Sequence, residues 1–210
     1  MKDLRLPLTR EEVERLVPGE MVTVSGPITV SIGLPTHRRM ADLLAAGQPL
    51  PLDLRGGAFF HLSCFNRERA DGGGPEALYL NPTTSTRYNA FMPRLVEGAG
   101  LRLVGGKGGL DAAGVEAMRR QGCAYLSFLG GGCTLLAQSI RRVVSIHWPE
   151  YISQFRLLTL EVEALGPATV AIDAHGHSLY EQLMHEARER LQAQRALRAQ
   201  AHSEPRNLPK

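Results

Sequence analysis

The residues best suited to chemistry lie in two short stretches, Asn81-Pro82-Thr83-Thr84-Ser85-Thr86-Arg87 and Gly105-Gly106-Lys107-Gly108-Gly109. The first offers a run of hydroxyls and then Arg87 where a helix is expected to begin, and helix N-termini attract negative charge. The second follows the apolar run Leu101-Arg102-Leu103-Val104. A strand is therefore expected to deliver Lys107 into a glycine turn whose N–H groups can approach a ligand closely. Two cations and a ring of donors suit a carboxylate. Either stretch alone is equally a helix cap or a simple chain turn; together they point to a site for a small anion.

These segments need elements to bring them together. Thr9 and Glu12 have the spacing of a capping box, so a short helix opens the chain. Met21 to Val24 and Ile28 to Ile32 read as two strands around a Ser25-Gly26-Pro27 turn. A helix then carries His37, Arg38 and Arg39 in its first turn and ends near Gly47. The two arginines are either a solvated face or part of an anion site, and His37 is either a core histidine or a donor and proton carrier. Ala58 to Cys64 reads as a buried strand, Asn66 to Pro75 as a polar surface loop, and Ala77 to Leu80 as a strand leading into Asn81. Tyr88, Phe91, Met92 and Leu95 space out as one helix face, with Pro93 an awkward interior residue.

From there the pattern alternates: strand 101–105, helix Asp111 to Gln121, strand 123–128, helix from about Cys133 to Arg142, strand 143–147. Such alternation predicts an α/β fold with a partly parallel sheet. Gly130-Gly131-Gly132 is a second cradle or a close packing point. Glu150 is a weak candidate acid, and Asp173, His175 and His177 read as a polar turn rather than a metal site. The expected division is one domain over 1–181, then a charged helix and an unstructured tail over 182–210.

Composition narrows the function. With net charge +3 and only 6% aromatic residues, the cations are scattered and no nucleic-acid face emerges. Cys64, Cys123 and Cys133 lack metal-site spacing and read as buried thiols. No stretch has the length of a membrane span or the core of a leader, so a cytoplasmic location is expected.

Taken in order, Val24-Ser25-Gly26, His37-Arg38-Arg39, the run from Pro82 to Arg87, the Gly105–Gly109 turn and the stretches 128–137, 143–150 and 166–176 resemble the β-type subunit of iron–sulfur tartrate dehydratase and the C-terminal domain of class I fumarate hydratase. The likeness spans about residues 7 to 181. It implies a swivelling β/β/α domain with a mixed, partly parallel core sheet, which closes over an α-type subunit holding a [4Fe–4S] cluster. It also implies a hydro-lyase acting on a small hydroxy-dicarboxylate, with the cluster's open iron as the Lewis acid and no metal on this chain. By the same resemblance Thr83 takes the proton beside the carboxylate, aided by Lys107. Arg87 and Lys107 hold the substrate, Thr84 and Ser85 add hydrogen bonds, and His37 lies with the binding residues. Three departures matter: the family's Arg-Asp before the helix-opening histidine is absent from Ser31 to Thr36, leaving one carboxylate clamp unfilled, Asn81 stands for the usual Gly before Pro82, and Tyr88 for the Met after Arg87. They leave open a different substrate, compensation by Arg38 or Arg39, or a paralogue that binds without turnover.

Overall fold

A computed structural model describes residues 1–203, so the tail expected to be unstructured lies almost wholly outside the described residues. The elements in chain order are β1 (Lys2–Arg5), α1 (Arg10–Glu14), β2 (Met21–Val30), α2 (Leu34–Ala45), β3 (Ala58–Phe60), β4 (Leu62–Glu68), β5 (Pro75–Pro82), α3 (Met92–Gly98), β6 (Leu103–Gly106), α4 (Ala112–Gln121), β7 (Ala124–Phe128), α5 (Cys133–Gln138), β8 (Ile140–His147), β9 (Leu157–Ile172) and α6 (Leu179–Ser203). Single 3-10 turns cover Ser85–Tyr88 and Ser153–Phe155.

Strands run in the order β1-β2-β3-β6-β7-β9-β8, and a further pairing of β2 with β9 closes five of them into a ring. The neighbours from β1 to β7 are parallel, while β9 runs antiparallel to β2, β7 and β8. This is a mixed α/β fold with a mixed core sheet. Side-chain alternation divides it into two cores. Val24, Ile28, Phe60, Leu103, Leu126 and Leu160 fill the ring. Phe59, Val104 and Tyr125, one residue out of phase, pack instead against Met40, Leu95 and Met118 of the helical layer. Local signals fix the helix ends. Thr9 and Glu12 make both bonds of the capping box on α1, and Asp111 accepts from the Gly114 N–H at 3.0 Å to start α4, which ends at left-handed Gly122.

Several segments differ from the sequence expectation. Residues 21–30 form one strand, not two, because β1, β3 and β9 pair along both halves and the break is absorbed as bulges beside Gly26, whose φ is +106°. The loop expected over 66–75 shrinks to 69–74, since Asn66, Arg67 and Glu68 pair with Ala77, Glu76 and Pro75. The helix expected over 88–95 starts only at Met92, which places Pro93 in its first turn, where a missing N–H costs nothing. The helix expected to reach Arg142 stops at Gln138, because Ile140 onward joins the ladder to β9. Helix α6 begins at Leu179, inside the expected domain. Tyr180 anchors it to the helical core, while Leu183 and Met184 are exposed.

Candidate active site

The parallel strands β3 and β6 end side by side, so the residues that follow, His61 and Lys107, emerge at one edge of the sheet. Carboxyl ends of parallel strands are where α/β proteins place ligands. Strand β5 returns to the same edge, with Pro82 paired to Leu62. The Thr83 N–H donates to the His61 carbonyl at 2.8 Å, the Lys107 N–H to the Thr83 carbonyl at 3.0 Å, and the Ser85 N–H to the Lys107 carbonyl at 2.9 Å. Thr84 and Lys107 thereby form a parallel bridge. Two segments more than twenty residues apart in sequence are stitched together backbone to backbone.

Glycine makes the approach feasible. A Cβ on Gly106 would lie 2.5 Å from Ser85 Oγ and 2.8 Å from the Thr83 carbonyl oxygen, and one on Gly109 would lie 2.6 Å from the Tyr180 ring. Only a residue without a side chain fits between the two stretches. The Gly130 turn borders the Lys107 stem: a Cβ on Gly130 would lie 3.9 Å from Lys107 Cδ.

Above this frame Thr83 and Thr84 are half-buried, and Thr86, Arg87 and Lys107 are exposed. Neither cation has a carboxylate within ion-pair distance among the described residues, whereas Arg39 and Arg120 are paired with Glu150 and Glu97. A site with two unpaired cations beside several hydroxyls attracts an acidic ligand. The anion-binding helix terminus expected at Thr83 is not there. Only a four-residue 3-10 turn follows Thr84, too short to sum a useful dipole, so donors and cations must do the work.

Ser85 and His37 sit beneath the surface rather than on it. The Ser85 hydroxyl is buried, 2.8 Å from His61 Nδ1 and 2.7 Å from the Tyr125 hydroxyl. His37 is also fully buried. Its Nδ1 donates to the Gly33 carbonyl at 2.7 Å and its ring stacks on Tyr88 with centroids 4.0 Å apart. Burial pushes its pKa down to about 4, so the ring is neutral near pH 7. The physical reason is register: His37 lies on the same side of α2 as Met40 and Ala41, which face the helical core. Sequence reasoning missed His61, Tyr88 and Tyr125, which build the floor; a histidine inside the apolar run from Ala58 to Cys64 was the available signal.

The remaining candidates are committed elsewhere. Arg39 holds Glu150 at 2.6 Å and lies over the Trp148 ring at 4.6 Å. Asp173 is buried, not exposed, and accepts from the N–H groups of His175 and His177 at 2.9 Å each. Cys64 and Cys123 are buried in different cores, and burial pushes the Cys64 thiol up to about 12 and Cys123 up as well. Among the described residues no group of three or more His, Cys, Asp or Glu is placed to hold a metal ion.

The family model of the fumarase C-terminus matches residues 2–183. The chain belongs to the fumarase C-terminus family. Within it, the chain is 30% identical over 178 residues to the L(+)-tartrate dehydratase subunit beta of Escherichia coli (strain K12), covering 85% of this chain and 86% of that one. A Methanocaldococcus jannaschii protein provisionally named L(+)-tartrate dehydratase subunit beta is 28% identical over 185 residues, 88% of this chain and 93% of its own. A Geobacillus stearothermophilus protein provisionally named fumarate hydratase class I is 28% identical over 188 residues, 90% of this chain but 35% of that longer one. This member of the fumarase C-terminus family thus matches proteins named as β subunits along most of their length.

Proposed function

We propose that this chain is the β-type subunit of a hydro-lyase that reversibly adds water to, or removes it from, a small hydroxy-dicarboxylic acid of the tartrate or malate/fumarate type. The observation that carries the reading is the backbone bridge joining Thr83–Ser85 to Lys107, with Lys107 and Arg87 left unpaired beside it. Lys107 supplies a point charge and Arg87 a planar fork for the carboxylates. A threonine hydroxyl is a very weak base, so moving a proton through Thr83 requires that the adjacent ammonium stabilise the developing negative charge. Thr84 adds a hydrogen bond at the rim.

A [4Fe–4S] cluster is the cofactor expected for such an enzyme. The residues of this chain do not fit it: two of the three thiols are buried in separate cores and have raised pKa values. The cluster belongs in this reading to an α-type partner subunit. The second reading, a carboxylate-binding paralogue without turnover, is favoured by the segment from Ser31 to Thr36. It offers no cation, its Ser31 and Thr36 hydroxyls both donate to the Phe155 carbonyl, and nearby Arg39 is engaged by Glu150.

The test is anaerobic co-expression with an α-type partner, followed by a hydration and dehydration screen over hydroxy acids. Turnover is expected. Lys107→Ala should raise KM by about 10- to 100-fold, the worth of one charge-assisted hydrogen bond. Thr83→Val should lower kcat by about 10²- to 10⁴-fold while leaving assembly intact. An intact complex that binds hydroxy-dicarboxylates yet turns over none of them establishes the second reading, and normal turnover by Thr83→Val removes Thr83 from the chemistry.

A further inference from the structure

His61 is the residue that both halves of the site share. Its N–H donates to the Gly105 carbonyl at 2.7 Å, and its own carbonyl accepts from Thr83. Its Nδ1 lies 2.8 Å from Ser85 Oγ, which lies 2.7 Å from the Tyr125 hydroxyl. A buried polar chain therefore starts beside Thr83 and runs through Ser85 to Tyr125 on β7, the strand next to the one that carries Lys107. Such a chain holds one geometry, because breaking any link leaves a buried group unpaired.

Stability alone does not account for a histidine here. Its second nitrogen, Nε2, is buried without a partner, a cost that an aliphatic side chain would not carry. Nor does charge account for it. Burial, with His37 beside it, holds His61 well below the usual histidine range, so it stays neutral.

We propose that His61 is a positioning residue that, through Ser85 and Tyr125, sets the Thr83 hydroxyl against the Lys107 turn. The inference rests on the reading of Thr83 and Lys107 as the reacting pair. His61 has no contact with substrate in it and acts only by fixing where Thr83 sits.

The experiment compares wild type, His61→Leu, His61→Asn and Ser85→Ala in the assembled complex. Leucine keeps bulk and removes Nδ1, whereas the asparagine amide reaches the position Nδ1 occupied. Misplacement of a reacting group by about 1 Å costs on the order of 100-fold in rate. His61→Leu and Ser85→Ala are therefore expected to lower kcat by about 10- to 100-fold with KM changed less than about threefold. His61→Asn should recover most of the loss. The unfolding midpoint of His61→Leu should change little, because the lost bond to Ser85 and the removed unpartnered Nε2 offset one another. Wild-type kcat in His61→Leu, a loss confined to KM, or a fall in stability matching the fall in rate with no recovery by asparagine overturns the proposal. If His61→Leu does not fold, Ser85→Ala decides on the same kinetic criteria.

If wild type itself shows no turnover, the proposed function fails and positioning is judged on the full chain by hydrogen exchange. The Thr83, Ser85 and Lys107 amides should then exchange about tenfold faster in His61→Leu and Ser85→Ala than in wild type. Equal rates overturn it.

Discussion

The Gly106→Ala substitution probes the contact on which the site depends. A methyl group there would lie 2.5 Å from Ser85 Oγ, 2.8 Å from the Thr83 carbonyl oxygen and 3.1 Å from His61 Cβ. Nonbonded heavy atoms settle near ~3.5 Å, so one segment must move by roughly 1 Å. The backbone N–H···O bonds between Thr83, Ser85 and Lys107 are already 2.9–3.0 Å, and a shift of that size breaks them. Overpacking of this kind costs about 1–3 kcal/mol, and the φ of +158° adds roughly 1–3 kcal/mol of strain for a residue with a side chain. The expected result is a loss of about 2–6 kcal/mol in urea unfolding and on the order of 100-fold in turnover. Gly108→Ala is the control. Its φ is +83°, but its nearest neighbour is Thr84 Cγ2 at 3.6 Å, so it bears the backbone cost without forcing the segments apart. About 1–2 kcal/mol with little change in turnover is expected there. Wild-type stability and rate in Gly106→Ala, or an equal or larger loss in Gly108→Ala, would refute the reasoning.

Acid should weaken the fold through its buried histidines. The folded pKa of His37 is lowered from 6.5 to about 4, and that of His61 moves the same way, so the unfolded chain binds more protons in this window. Stability is then fully present above about pH 6.5 and falls as pH drops toward 4, by about 3 kcal/mol for His37 alone. Urea midpoints measured from pH 4 to 7 should rise with pH, with a shallower slope in His37→Leu; a flat profile in wild type would contradict the assignment of neutral buried rings. Thiol labelling offers a separate check on packing. In native protein a disulfide-exchange reagent should modify only the half-exposed Cys133, and all three thiols in denaturant, since burial disfavours the thiolates of Cys64 and Cys123. Fast native labelling of three thiols would show that the two cores open readily.

The α/β alternation was legible because each signal was local. Asp111 and Gly122 bracket α4, and the strands on either side of it are short apolar runs. What failed was decided by partners distant in sequence. Residues 139–142 carry no local mark against continuing a helix, and only the ladder from Ile140 to Val162 makes them strand. Gly26-Pro27 looks like a turn until two flanking ladders hold it straight. The same limit governed the site. Thr83, Arg87 and Lys107 stood out by residue type, but the buried position of His37 depends on which side of α2 packs inward, and the use of Ser85 depends on His61 and Tyr125, 24 and 40 residues away.

Why these distant residues meet follows from two registers that share one position. Leu62, the first residue of β4, pairs with Pro82, the last of β5, so the chain leaving the hairpin at Thr83 must return beside His61 whatever the length of the 69–74 loop. Phe60 pairs with Gly105, so parallel β6 delivers Lys107 beside the same residue from the other side. A one-residue slip in either ladder would turn the delivered side chain to the opposite face. Both ladders are pinned against it, because the ring core takes Phe60, Leu62, Leu80 and Leu103 while Phe59 and Val104 fill the helical core. The hydrophobic pattern of β3 to β6 is thus also what fixes the geometry of the polar site, and His61 stands where the two constraints cross.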